Sequence, residues 1–438
     1  MVLVGKASYN MKKFDYANDP RMSKSECVLL GFSGLLIFVA YDDSFNMQIT
    51  LPVFVLLLFG YLKKTGGAFS DRIGFSFCVV AVGMASASVI LNLFIDPKII
   101  TDKTPLRILY LIEILLFYYV TTKRSYASDN LKLILIAGIV SGLAISLAII
   151  WNYQNGAVGK ISVTNIFGRS VEENYTAGLI VFEAMLCLLG FRYTQQIGIK
   201  TILLCILLVM TYAILLTGSR AAIVALAVGI AIFVVQNVLS GKVSLFAKIG
   251  IVALVFLFVA VIVLNADSIL PRNLYDRIFV SSYADSSNAH RLELWSFGLE
   301  GFLRRPFFGY GIGNYNYYVI NVLGMTQHTV VVAHNTYLDA LLDLGIVGLL
   351  PILALVLGRL KGVARSKVLF PAILSTLFTA LIVGGERTFF FWNAIVILTI
   401  LIGFAGKSGG NGSLESLFDF SAEVSNVLGM RSNGRQHK

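Results

Sequence analysis

Three of the chain's four histidines, His290, His328 and His334, fall between Ser281 and Gly348, the one long polar interruption in an oily sequence. Arg291, Arg304 and Arg305 lie close to them in sequence. His334 opens the run His334-Asn335-Thr336-Tyr337-Leu338-Asp339, with Asp343 one turn further on. An imidazole titrates near neutrality, so a water-accessible histidine at a helix start suits a general base; the bland alternative is a helix-capping polar group. Zinc held by His290, His328 and His334 is disfavoured, because their spacing fits no compact ligand motif.

Arg220 ends the turn Thr217-Gly218-Ser219-Arg220, between two apolar runs. Placed at the N-terminus of the second run, its guanidinium and the free helix amides together suit a diphosphate; alternatively it snorkels to lipid headgroups. Arg291 and Trp295 are four residues apart and share a helix face, so the indole either supports the guanidinium or anchors the helix at the interface. Pro306 to Asn314 is a glycine-rich turn with no strand before it and no lysine within it, which excludes a nucleotide loop. Its aromatics, Tyr310 among them, suit stacking on sugars or resting on the interface. Glu172 and Glu173 begin another apolar run, where acids favour the helix dipole and can also bond sugar hydroxyls. Glu113 and Glu183 fall inside apolar runs, where ionisable groups are costly and face a cavity or a partner.

These residues need a scaffold, and the composition names it. Hydrophobic residues make up 57% and charged residues 13% of the 438, against roughly 45–50% and 25% in soluble domains, so this is an integral membrane protein. The expected fold is all-α and polytopic, with about twelve transmembrane helices and one large outer loop containing short helices. Spans are expected near 27–43, 47–62, 73–95, 106–122, 131–152, 174–192, 198–217, 221–240, 246–266, 336–358, 368–385 and 389–405. Residues 1–26 form a basic cytoplasmic lead, 27–266 carry spans one to nine, 267–335 the loop, 336–405 spans ten to twelve, and 406–438 a flexible cytoplasmic tail. The first apolar run lacks a small-residue cleavage site and reads as a span. The net charge of +11 is assigned to positive-inside loops rather than to nucleic acid: Lys63, Lys64, Lys123, Arg124, Arg192 and Lys200 all fall on the side of the lead. The other side favours arginine (Arg107, Arg169, Arg220, Arg272, Arg277, Arg291, Arg304, Arg305, Arg387) over lysine, which as a set points to an anionic ligand there. Cys27, Cys78, Cys187 and Cys205 lie in or at the edge of apolar runs as core residues, with no disulfide or metal expected.

Taken in order, the TGSR turn, the Arg291-to-Trp295 pair, PFFGYGIGNY and HNTYLDALLDLG are similar to the O-antigen ligase and polymerase superfamily of bacterial inner-membrane enzymes. The resemblance is sharpest from Thr217 to Gly348, and the span layout extends it along the chain. Where members commonly carry a glutamate late in the histidine motif, this chain has Asp343. The resemblance implies an undecaprenyl-diphosphate-linked glycan donor and a periplasmic active site. It implies that Arg220 and Arg291, aided by Arg305, hold the donor diphosphate, and that His334 acts as base or positioning group for the acceptor hydroxyl. Trp295, Tyr310, Asn314, Asn335, Tyr337, Glu172 and Glu173 are then the glycan- and acceptor-binding set. The reaction is an inverting, metal-independent glycosyl transfer without a cofactor.

The acceptor stays open. A polymerase adds one lipid-linked repeat unit of an exopolysaccharide or O-antigen to another, and a ligase moves the glycan to lipid A-core. The polymerase is favoured because polymerases serve many polysaccharides. Membrane lipids and a chain-length regulator or flippase are the expected further partners. A flippase is the rival reading of the chain itself; Glu113 and Glu183 suit it, but the two halves show no inverted repeat and no matched broken helices.

Overall fold

In the computed structural model, the described residues are 21–38, 46–66, 72–96, 104–157, 159–165, 168, 170–240, 264–269, 275–276, 280–325, 333–360, 368–382, 389–407 and 411–421. Among them the chain is almost entirely helical; the only β pairings are isolated bridges at Arg21 to Ser125 and Thr164 to Ser170. The main helices are α1 (Lys24–Gly31), α2 (Asn46–Thr65), α3 (Arg72–Ile95), α4 (Thr104–Thr122), α5 (Ser128–Gln154), α6 (Glu173–Tyr193), α7 (Ile197–Leu216) and α8 (Arg220–Ser240). After the expected ninth span, most of which lies outside the described residues, come α9 (Ser281–Arg304), α10 (Thr336–Leu360), α11 (Phe370–Ile382), α12 (Phe389–Lys407) and α13 (Asn411–Leu417).

Among the described residues, five helices are long and apolar enough to cross a membrane: Ile73–Ile95, Ser128–Gln154, Glu173–Tyr193, Ile197–Leu216 and Thr336–Ala354, the last of them broken at Gly345. They coincide with expected spans three, five, six, seven and ten. The first expected span is not one helix: α1 gives way to a 3₁₀ segment over Phe32–Phe38.

The bundle is built around α6. Its described neighbours are α5, α7, α8, α11 and α12, and its residues from Thr176 to Gly190 are all buried. A helix apolar on every side belongs inside a bundle. Close approach comes from α5, where Gly138 and Gly142 leave room for Glu183: a Cβ at Gly142 would lie 2.6 Å from Glu183 Cβ. By contrast α3 exposes Ile90, Leu91, Phe94 and Ile95, and α7 exposes Ile202, Leu204 and Leu208, apolar surface of the kind a helix presents to lipid.

Two of the basic residues read as loop charge are structural. Glu26 bonds Arg124 at 2.5 Å and Lys64 at 2.8 Å, and Arg124, its side chain fully buried, also donates to Leu57 O at 2.5 Å. The clasp joins α1, α2 and the α4–α5 turn. Residues 411–421, the described part of the polar tail, are packed rather than loose. Phe418 and Phe420 are buried, Thr194 Oγ1 donates to Phe418 O at 3.2 Å, and Lys132 Nζ donates to Asp419 O at 3.0 Å. Apolar burial of two aromatic rings between α5, α6 and α7 orders residues 411–421.

What positions the polar end of the bundle is a break in α10. Gly345 sits at φ 61°, ψ −174°, which interrupts the helix and leaves carbonyls and amides on both sides without helical partners. The glycine-rich turn supplies them. Tyr310 N donates to Leu342 O (2.8 Å), Gly311 N to Asp343 O (2.9 Å), Ile346 N to Pro306 O (2.8 Å) and Val347 N to Phe307 O (3.0 Å). The Asp343 side chain completes the clasp by accepting from Gly313 N and, at 3.0 Å, from Asn314 N.

Candidate functional site

The TGSR turn is stitched into the start of α6. Thr217 Oγ1 donates to Ile214 O at 2.6 Å and accepts from Ser219 N at 3.2 Å, while Gly218 takes φ 63°. Ser219 Oγ, beside the Ala222 amide at the start of α8, donates to Asn174 Oδ1 at 2.7 Å. Asn174 Nδ2 donates in turn to Glu172, whose carboxylate caps α6 by accepting from Tyr175 N at 3.2 Å. Burial pushes the Glu172 carboxyl up, against the lowering effect of the Asn174 bond. Arg220 is the first residue of α8 and half-buried, and among the described residues it makes no hydrogen bond or ion pair. A guanidinium held at a helix N-terminus without a counter-charge is a ready partner for an anion.

The α5–α6 connection lies against the same turn. Ile161 N donates to Leu216 O at 3.4 Å, which places Lys160 beside the end of α7, where it pairs with Glu173. Lys160 is also one of the charges felt by His334, together with Arg291 and His290. One end of the bundle therefore gathers the TGSR turn, Glu172, Glu173, Lys160, Arg291, His290 and His334.

His334 is held in an uncommon backbone state. It is the one non-glycine residue at positive φ among the described residues, at 49°. Two neighbours impose this. Asp339, buried, accepts from Ala333 N at 3.0 Å, and Asn335 Oδ1 caps α10 by accepting from Tyr337 N at 3.0 Å and Leu338 N at 3.2 Å. The capping task thus belongs to Asn335, and the imidazole of His334 is spared it. Burial first, then the charges of Arg291, Lys160 and His290, push the His334 ring down to about 4, so at neutral pH it is uncharged and its free nitrogen can accept a proton.

Other expected site residues face elsewhere. Arg305 donates to Asn92 Oδ1 and lies over the Tyr310 ring at 4.3 Å, linked to α3 rather than to His334. Tyr310 and Asn314 are buried within the clasp, Tyr310 against Tyr318 at 4.7 Å between centroids and Asn314 Nδ2 donating to Tyr310 O at 2.9 Å. Tyr337 ties α10 to α11 through its hydroxyl and Leu377 O at 3.2 Å. Trp295 follows Arg291 by one turn, with its indole N–H buried and without a hydrogen-bond acceptor among the described residues. His328, Arg169, Arg272, Arg277 and Arg387 lie outside the described residues.

Sequence reasoning passed over three features. Lys160 carries no motif and is ordinary in the sequence. The role of Asp339 in shaping residue 334 has no signature beyond its spacing. Ser88 and Asn92 of α3 and Asp96 just past its end repeat at four-residue spacing in an oily stretch, a visible stripe, and all three grip the segment after α9: Ser88 donates to Phe308 O, Asn92 Nδ2 donates to Gly309 O at 3.1 Å, and Asp96 accepts from Tyr317.

These features define a helical membrane protein with a basic, histidine-containing site at one end of its bundle. Residues 205–353, which hold Arg220, Arg291 and His334, match the family model described as O-antigen ligase, in agreement with the superfamily that the motifs resemble. The chain is also similar to provisionally named polysaccharide ligases of Rickettsia. It is 29% identical to one from R. prowazekii (strain Madrid E) over 171 residues, covering 37% of this chain and 40% of the relative. Identity is 27% over 248 residues with one from R. typhi (54% and 57%) and 26% over 266 residues with one from R. conorii (58% and 60%). The matches thus span about 40 to 60% of the length of these relatives.

Proposed function

We propose that this chain is a glycosyltransferase of the bacterial inner membrane. It takes a glycan from an undecaprenyl-diphosphate carrier at the periplasmic end of the bundle and joins it to a saccharide hydroxyl. The observation that carries this reading is His334, set at positive φ just before the α10 cap and within reach of the charges of Arg291, Lys160 and His290, at the end of the bundle where Arg220 opens α8.

The chemistry follows from those charges. His334 takes the proton of the acceptor hydroxyl as its oxygen attacks the anomeric carbon. The bond from that carbon to the diphosphate oxygen breaks on the opposite face, and the configuration inverts. Negative charge gathering on the departing lipid diphosphate is met by Arg220 and Arg291, with Lys160 beside them. Charge fixed in place before the reaction stabilises the transition state most, because nothing has to reorient. This assignment needs no metal ion.

Both acceptors remain within this reading. Ligation of a finished glycan accords with the polysaccharide-ligase names of the Rickettsia relatives, with lipid A-core as the acceptor we assign to it, and polymerisation of repeat units is the second reading. One experiment tests the chemistry and separates them: a gel profile of surface and lipid-linked glycans from a deletion strain complemented with wild type or His334→Ala. The variant is expected to lose transfer by about 10²–10⁴-fold. In the deletion strain, full-length lipid-linked chains left unattached mark a ligase, and single repeat units still transferred mark a polymerase. Normal transfer by His334→Ala would overturn the reading.

A further inference from the structure

The segment joining α9 to α10 belongs to what the sequence presents as an outer loop in water, yet part of it is built for another solvent. Phe308 and Gly309 are held by Ser88 and Asn92 of α3. The apolar span in α3 ends at Ile95, so Ser88 and Asn92 lie about 5–10 Å short of that end at 1.5 Å per residue. The chain from Phe307 to Gly309 therefore runs beside the last two turns of a spanning helix whose Leu91, Phe94 and Ile95 are exposed.

Its backbone meets the demand of that depth. A loop in water can leave its carbonyls to solvent, but in hydrocarbon each one needs a protein donor. The carbonyls of Pro306 and Phe307 accept from Ile346 and Val347, those of Phe308 and Gly309 from Ser88 and Asn92, that of Tyr310 from Asn314, and that of Gly313 from Arg107.

The side chains left outside are apolar. At 100° per residue, Leu292, Leu299 and Leu303 of α9 fall within about 40° of one another. They are 63, 49 and 66% exposed, and Phe307 just beyond is 65% exposed. Leu294, Phe297, Gly298 and Gly301 face the protein, and Gly301 lets Leu342 of α10 come close. A third strip is polar and carries the Arg304–Glu300 pair at 2.6 Å. One side to protein, one to water and one apolar and open is the pattern of a helix seated at a membrane interface.

We infer that the C-terminal half of α9 and the Pro306–Asn314 turn form a re-entrant segment. It sits in the acyl layer of the leaflet on the loop's side, with Leu299, Leu303 and Phe307 against lipid chains. The segment extends the lipid-facing surface of α3. From Leu303, α9 climbs about 18 Å along its axis to Arg291. A diphosphate at headgroup depth then meets Arg291 while its hydrocarbon anchor stays in the bilayer.

The test uses the full chain carrying Cys205→Ser, since Cys27, Cys78 and Cys187 are buried. Nitroxide labels are placed singly at Leu299→Cys, Leu303→Cys and, on the polar strip at the same depth, Glu300→Cys, in phosphatidylethanolamine–phosphatidylglycerol vesicles. Collision rates with oxygen and with a water-soluble nickel chelate are then compared. The oxygen-to-nickel ratio is expected to be several-fold higher at 299 and 303 than at 300. Nickel reaching 303 as freely as 300 would overturn the inference in favour of a solvated loop. Exclusion of both reagents at 303 would overturn it in favour of a protein-covered face, such as a contact with a second copy. As a second reading, Phe307→Trp fluorescence is expected to be quenched by lipids brominated on their acyl chains, beyond the parent chain's response; no added quenching would also overturn it. Every variant keeps Arg220, Arg291 and His334, so glycan transfer is scored separately and either proposal can fail alone.

Discussion

The depressed titration of His334 makes a quantitative prediction about pH. An ordinary imidazole with a pKa of about 6.5 is only about 9% neutral at pH 5.5. With the ring pushed down to about 4 by burial and by Arg291, Lys160 and His290, it is about 97% neutral there. If the neutral ring accepts the acceptor's proton, transfer at pH 5.5 stays near its plateau instead of falling about tenfold, and the acid limb is centred near 4. Lys160→Gln removes one positive neighbour and is expected to move the limb part of the way back towards 6.5, because burial, the larger cause, persists. The sign for stability follows from the same shift. Between pH 6.5 and 4 the unfolded chain holds the proton that the folded chain refuses, so folding stability falls as pH drops through that window, by up to about 3 kcal/mol below 4. The assay is glycan transfer in membrane vesicles of the complemented strain, sampled from pH 4 to 8, beside a thermal melt of the purified chain. A wild-type limb centred near 6.5, unmoved by Lys160→Gln, would refute the neutral-base assignment.

Two further predictions concern the scaffold. Gly345→Ala puts a side chain where φ is 61° and ψ −174°, a region essentially reserved for glycine, with its Cβ 2.7 Å from Gly309 N; a loss of about 1–3 kcal/mol or more in a melt is expected, and an unchanged melting point would show that the break is not needed. Asp339→Ala frees Ala333 N and with it the backbone of His334, and is expected to lower kcat by about 10²-fold at similar KM. Asp339→Asn keeps the accepting oxygen and should rescue most of that loss; equal damage from both variants would point to a charge role instead.

How much of this was readable in the chain depends on what each residue bonds to. Arg220, Arg291 and His334 stand out because polar groups are expensive in an oily sequence, and the expected span pattern puts them on one side. The expected spans at 73–95, 131–152, 174–192, 198–217 and 336–358 match helices long and apolar enough to cross a membrane because both follow from the same apolar runs. Tyr310, Asn314 and Arg305 read as glycan or phosphate contacts because an aromatic, an amide and a guanidinium suit those ligands equally well. Their actual partners, Tyr318, Tyr310 O and Asn92, include one lying more than two hundred positions away, and no local spacing announces it. Lys160 has the same problem in reverse: it is ordinary in sequence and becomes informative only where Ile161 meets Leu216.

The two most recognisable motifs prove to be halves of one device. Asp339 and Asp343 are one helical turn apart on α10, so their carboxylates leave the same side of the helix. The first reaches back to Ala333 and fixes His334; the second reaches across to Gly313 and Asn314 and fixes the glycine-rich turn. Between the second carboxylate and the membrane-spanning part of the helix, Gly345 opens the ladder that the turn closes. The turn cannot dock without the break, and the break leaves polar backbone exposed without the turn. The aspartate at 343 in place of a glutamate is then a question of reach. Its oxygens already meet two amides of the turn, and one more methylene would press that turn away from α10 or fold the side chain off its amides.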